Sequence, residues 1–196
     1  MKILSQINSK IREILGNGVL TGMEEGFLEI SSDKIYKVGI GIDIGQRIIN
    51  AKVQYALLKA ILAANNMTLS AQTVEHSTGH TLKITYDRFI IFTKRVDYRS
   101  SDWREEAKYH KQLMANNPSK QLGLFSMEDT ETPVFVQLRF GKKNHEYFAS
   151  LRIVDSITGG VFEEEELELQ SVILAPEEKV RTPKKLSIRS EMVSGL

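Results

Sequence analysis

Two blocks of alternating apolar and polar residues, 72–96 and 134–155, constrain the fold of this chain more than any other feature. Alternation with a period of two is strand patterning, because successive side chains of a strand point to opposite faces. In the first block, 72–76, 80–86 and 89–96 predict a meander with turns at Ser77-Thr78-Gly79 and Asp87-Arg88. Pairing across the second turn sets Tyr86 beside Phe89 and Ile84 beside Ile91. In the second block, 134–140 and 145–155 predict a hairpin around Gly141-Lys142-Lys143-Asn144. Its core face carries Val134, Val136, Leu138 and Phe140 with Tyr147, Ala149, Leu151 and Ile153. That register puts Arg139 opposite Glu146 as a cross-strand ion pair.

Helical spacing appears at three places. Leu4, Ile7, Ile11, Ile14 and Leu15 predict a helix over 2–15, stopped by Gly16-Asn17-Gly18. The helix over 46–64 has two apolar stripes. Ile49, Val53, Ala56, Leu57, Ala60 and Ala64 form one; Ile48, Tyr55, Leu58 and Leu62 form the other, on nearly the opposite side. A helix apolar on two faces is buried between layers or carries an interface, so Ile48, Tyr55, Leu58 and Leu62 are the candidate interface residues. A third helix over 102–116 starts at Asp102 with Glu105 three residues later, a capping box, and stops at Asn116-Asn117-Pro118. Between the first two helices, 26–30 and 35–44 predict another hairpin, with Gly39 and Gly41 on one face leaving a shallow groove. A last strand or short helix is expected over 166–174.

These elements predict an α+β fold: a mixed, mostly antiparallel sheet built from hairpins, with two or three packed helices. A single domain spans 1–175, with an internal boundary allowed within 118–132, and 176–196 has the proline- and charge-rich composition of a flexible or partner-spanning tail. The glutamate run Glu163–Glu166 is the strongest local charge block, and self-contact with Lys179, Arg181, Lys184 and Lys185 is expected.

Charge and cysteine content narrow the function. With 26 basic and 25 acidic residues the net charge is +1, which argues against both bulk nucleic-acid binding and whole-surface mimicry of nucleic acid. The absence of cysteine excludes disulfides, thiolate nucleophiles and cysteine-ligated zinc. No signal-peptide pattern and no membrane-length apolar run are present, so a cytoplasmic protein with no membrane partner is expected.

Gly41-Ile-Asp-Ile-Gly45 resembles the first phosphate loop of the actin and sugar-kinase superfamily, whose aspartate helps organise metal and phosphate. The resemblance covers only these residues. That superfamily follows the loop with a hairpin and carries a second acidic-glycine loop; here a helix follows at once and no second motif occurs. His76 and His80 with Glu75 are candidate metal ligands, but their spacing falls in a hairpin turn. A metal-dependent nuclease needs an acid and a Glu/Gln-x-Lys on neighbouring strands; Gln137-Leu138-Arg139 with Asp87 is the nearest approach, and Arg is a poor proton manager. Two basic groups suit phosphate: Arg139, Lys142, Lys143 and Arg152 on the late hairpin, and Lys94, Arg95, Arg99 and Arg104 interleaved with Tyr98 and Trp103.

The expected function is therefore non-catalytic binding or regulation through protein–protein contact, with a protein partner or a second copy of the chain, and with no cofactor and no metal. The size suits an accessory or inhibitor protein of a phage or mobile element. The alternative is nucleic-acid binding through Arg95, Arg99, Trp103, Arg139, Lys142, Lys143 and Arg152. A degenerate metal-dependent nuclease stands third.

Overall fold

Six strands join in chain order into one sheet, β1 (Leu69–His76), β2 (Gly79–Tyr86), β3 (Phe89–Arg95), β4 (Val134–Lys143), β5 (Glu146–Val154) and β6 (Val161–Glu166). The computed structural model describes residues 2–37, 39–76, 79–96, 108–119 and 132–169. All neighbours are antiparallel except β3 and β4, which run parallel from Phe89↔Val134 to Arg95↔Phe140. A parallel pair needs a crossover, and the chain makes it through α3 (Lys108–Met114). Two long helices, α1 (Ser9–Ser32) and α2 (Ile40–Ala64), form a hairpin on one face of the sheet. The molecule is thus an α+β fold with a mixed, mostly antiparallel sheet. Among the described residues no helix is long and apolar enough to cross a membrane.

The core follows from strand alternation. Ile84, Ile91, Val136, Leu138, Phe140, Leu151 and Ile153 meet Leu15, Val19, Met23, Ile49, Val53 and Leu57 of the helical hairpin. The alternate positions Phe92, Phe135 and Val154 cover the other face with Met114 of α3. β4 is therefore enclosed on both faces and both edges, and Val134–Gly141 are all buried.

Both predicted blocks fold as strands. Tyr86 faces Phe89 and Ile84 faces Ile91, as the pattern requires. The late hairpin keeps its predicted core face but turns later. Lys143 pairs with Glu146 around Asn144-His145, whose φ values of 51° and 70° are those of a two-residue type I′ turn. Arg139 consequently lies opposite Ser150, not Glu146, and its carboxylate partner is Glu164 at 2.8 Å. The expected register is off by four residues, an even number, so the side chains keep their faces.

The N-terminal third departs from expectation. A 3₁₀ turn at Leu4–Gln6 precedes α1, and α1 runs straight through Gly16 and Gly18, the expected stop. Tertiary packing overrides the weak helix propensity of glycine here. Gly18, Gly22 and Gly26 lie along one face of α1, against Leu57, Val53 and Ile49 of α2. A Cβ on Gly22 would sit 2.3 Å from the Val53 Cα, so the bare backbone sets how closely the helices approach. The hairpin expected over 26–30 and 35–44 is not formed; these segments end α1, make a 3₁₀ turn at Lys34–Lys37 and begin α2. Gly41 is buried in the first turn of α2, where a Cβ would strike the Ile35 carbonyl at 1.8 Å. The isoleucines that suggested a strand, Ile40, Ile42 and Ile44, are exposed on that helix. The phosphate-loop likeness therefore falls on helical packing glycines.

The last strand also starts earlier than expected, at Val161. Its glutamates bind the body of the protein. Glu163 accepts the Ile3 N–H at 2.8 Å and the Leu4 N–H at 3.2 Å, and Glu165 pairs with Arg12. The expected tail contacts at Lys179, Arg181, Lys184 and Lys185 lie outside the described residues, as do Asp102 and Glu105.

Candidate functional site

α2 owes its placement to one stripe. Ile49, Val53, Ala56, Leu57 and Ile61 are buried, between α1 and the sheet. Gln54 fixes the helix on the sheet by accepting the Leu82 N–H at 3.1 Å. Arg95 ties its start to β3 by donating to the Gln46 carbonyl at 3.1 Å. On the side of α1, Lys52 pairs with Glu29 at 3.0 Å. The hydrogen bond from Lys52 to Glu29, and next the charge of Glu29, push the lysine pKa up.

The second stripe is left facing outward. Tyr55 is 59% exposed and Leu62 68% exposed, while Ile48 and Leu58 are half-buried. Ile44 and the exposed Ala51 extend it. Together Ile44, Ile48, Ala51, Tyr55, Leu58 and Leu62 recur at alternating spacings of four and three, the heptad spacing of a helix–helix seam. Lys59 lies over the Tyr55 ring at 5.6 Å and covers one flank with its stem. The sequence reading found Ile48, Tyr55, Leu58 and Leu62 but missed Ile44, because it placed that residue in a strand. It missed Ala51 because alanine is a weak apolar signal; counting by heptads would have recovered both.

The basic candidates separate. Arg139 and Arg152 converge on one carboxylate: Arg139 donates to Glu164 Oε1 at 2.8 Å, Arg152 to Oε2 at 2.7 Å, and the Ser150 hydroxyl to Oε1 at 2.8 Å. Burial alone would push the Glu164 pKa up. The hydrogen bonds from Arg152 and Ser150 and the charges of Arg152 and Arg139 outweigh it and hold the group below its ordinary value. Arg95 and Lys142 instead lie over the Phe27 ring at 5.8 Å and 5.2 Å, and Lys142 also lies over Tyr147 at 5.3 Å. Phe27 stacks on Tyr147 with centroids 5.5 Å apart, so this cluster fastens α1 to the end of the sheet. Burial, and then the charge of Glu24, push the Tyr147 pKa up. Lys143 is exposed. Arg99 and Trp103 lie outside the described residues.

The metal candidates stay on the β1–β2 hairpin, and the nuclease candidates lie apart, on β4 and in the β2–β3 turn. His80 is exposed opposite Glu75, and the side chain of His76 is outside the described set. Asp87 occupies a positive-φ turn position, at 51°. Among the described residues no three His, Asp or Glu side chains are placed to hold one metal ion. A shallow cleft of about 400 Å³ opens where α2 crosses the end of β3, lined by Gln46, Arg47, Asn50, Thr93, Lys94 and Arg95. It lies where β3 continues to Arg95 beyond the last β2–β3 pair, Lys83↔Phe92.

Comparison with family models, with curated proteins and with solved structures gives no match to this chain.

Proposed function

We propose that this protein is a non-catalytic binding protein that acts through protein–protein contact, using the outer stripe of α2. The observation that carries the reading is the exposed heptad seam of Ile44, Ile48, Ala51, Tyr55, Leu58 and Leu62 on a helix already anchored by its opposite face. Exposed apolar rows of this length are costly in water and mark contact surfaces. A helix whose backbone is fixed on a sheet also loses little further entropy when it docks. The nucleic-acid alternative draws less support, because Arg139 and Arg152 are already engaged by Glu164. In this reading the protein is cytoplasmic, as its lack of cysteine suggests.

The test is affinity capture from the native host with wild-type protein and with a Tyr55→Lys, Leu62→Lys variant, both checked for fold by circular dichroism. Both positions are exposed, so the variant is expected to fold with little change in stability. Loss of the captured proteins, copies of this chain included, is the expected result. Unchanged capture by the folded variant would overturn the reading.

A further inference from the structure

The seam is not only apolar; it matches itself when reversed. We infer that its occupant is a second copy of this chain, with the two α2 helices packed antiparallel about a two-fold axis at the level of Val53. This rests on the reading of α2 as the contact surface.

Three observations support it. The first is size matching. Aligning one helix against its reversed copy at that level sets Ala51 against the second copy's Tyr55, Ile48 against its Leu58 and Ile44 against its Leu62. The largest seam residue then meets the smallest, as knobs-into-holes packing requires. Ile40, 79% exposed, continues the same line one turn earlier. Four of the ten large apolar side chains that stand exposed among the described residues, namely Ile40, Ile44, Tyr55 and Leu62, thus fall on this one line.

The second is charge. In the antiparallel register the one charged pair that meets is Lys52 with Lys52 of the second copy, each already paired with its own Glu29 at 3.0 Å. Arg47 and Lys59 fall on opposite flanks, so they do not meet. A parallel pair would instead bring Arg47 against Lys52 of the other copy and stack Tyr55 on Tyr55. The parallel pair thus has a like-charge contact on both flanks, against one in the antiparallel pair, which disfavours it.

The third is area. Apolar side chains exposed to this degree offer on the order of 100 Å² each, so these four supply roughly 400 Å² per copy, to which Ala51 and the half-buried Ile48 and Leu58 add. A stable interface needs about 800 Å² per partner, and the stems of Arg47, Gln54 and Lys59 along the flanks cover much of the remainder. An isologous two-fold contact is also the commonest way a single chain associates.

The experiment uses the cysteine-free chain itself. Light scattering over a concentration series should read twice the 22.2 kDa chain mass, and Leu62→Lys should raise the dimer Kd at least tenfold. Ala51→Cys and Tyr55→Cys variants, mixed and oxidised, should form the mixed disulfide in preference to either homodisulfide. A dimer whose mass ignores Leu62→Lys, or mixed variants that crosslink no better than each alone, overturns the inference. A strict monomer also overturns it. In that case a synthetic amphipathic helix with acidic flanks separates the two readings. Binding that is lost in Leu62→Lys leaves α2 as a docking face for another protein, and no binding removes support from both.

Discussion

Glu164 shows how one residue can redirect the meaning of its neighbours. By sequence it belongs to a run of four glutamates whose mutual repulsion should keep them in water. In the fold each of the first three has a different partner, because β6 turns alternate side chains to opposite faces. Glu164 neutralises Arg139, whose side chain is only 10% exposed, and Arg152 beside it. Removing the carboxylate takes from a nearly buried guanidinium the counter-charge that lies 2.8 Å away. Glu164→Ala should therefore destabilise the protein by about 2–4 kcal/mol in urea unfolding. Because its folded-state pKa is depressed, Glu164 contributes stability above the unfolded carboxylate value, and that contribution is lost as pH falls through the folded-state value. The gap in Tm between wild type and Glu164→Ala should accordingly narrow below about pH 4. A gap that stays constant into acid would refute this assignment. None of it was legible in the sequence, because an ion pair between β4 and β6 requires the strand order.

The elements divide sharply in how far the sequence announced them. Strands with one face toward the helices alternate cleanly, and β2, β3, β4 and β5 are readable from that pattern alone. The helical hairpin is not. Its glycines read as stops and its isoleucines as a strand, because the contact that makes glycine favourable in α1 lies on another helix. The end of α2 was legible, since Asn65 adopts the left-handed cap at φ 45°. The crossover holds a further element-scale device. Asn117, just past α3, donates to the carbonyls of Phe135 and Val154, both at 3.0 Å, and accepts the Phe135 N–H at 2.8 Å. The sequence reading treated it only as a helix stop. It fixes the end of α3 to β4 and β5 in a buried site, where lost hydrogen bonds are costly. Asn117→Ala should cost about 2–4 kcal/mol by thermal or chemical unfolding, well above the roughly 0.5 kcal/mol expected of a surface change. A near-neutral result would show that α3 is held by Met114 and its apolar neighbours instead.

At the scale of the whole molecule, the sheet is two antiparallel triplets, β1–β2–β3 and β4–β5–β6, joined by one parallel ladder. The local ladders close over short turns, whereas the β3–β4 joint closes over the entire crossover and carries the larger entropic cost. Amides of β4, covered on both faces and flanked on both sides, should be the last to exchange with deuterium in the native state. Exchange of β4 as fast as that of β1 would contradict this. The fold class was legible because it depends only on patterning. The outward stripe of α2 was half legible: spacing separates two stripes and makes Ile48, Tyr55, Leu58 and Leu62 the candidate contact, but the choice of the stripe that the sheet takes is fixed only in the fold. That choice is made by the glycines of α1 and by Gln54 reaching Leu82.

The single parallel joint has a mechanical corollary. Every antiparallel ladder lies wholly on one side of the crossover, so a nick there severs none of them. Across the cut run the β3–β4 seam, the packing of α1 on β5, and the contacts of Ile3, Leu4 and Arg12 with β6. The two halves meet over one buried joint and are suited to re-mating as separate pieces, drawn together by buried surface rather than by a tether.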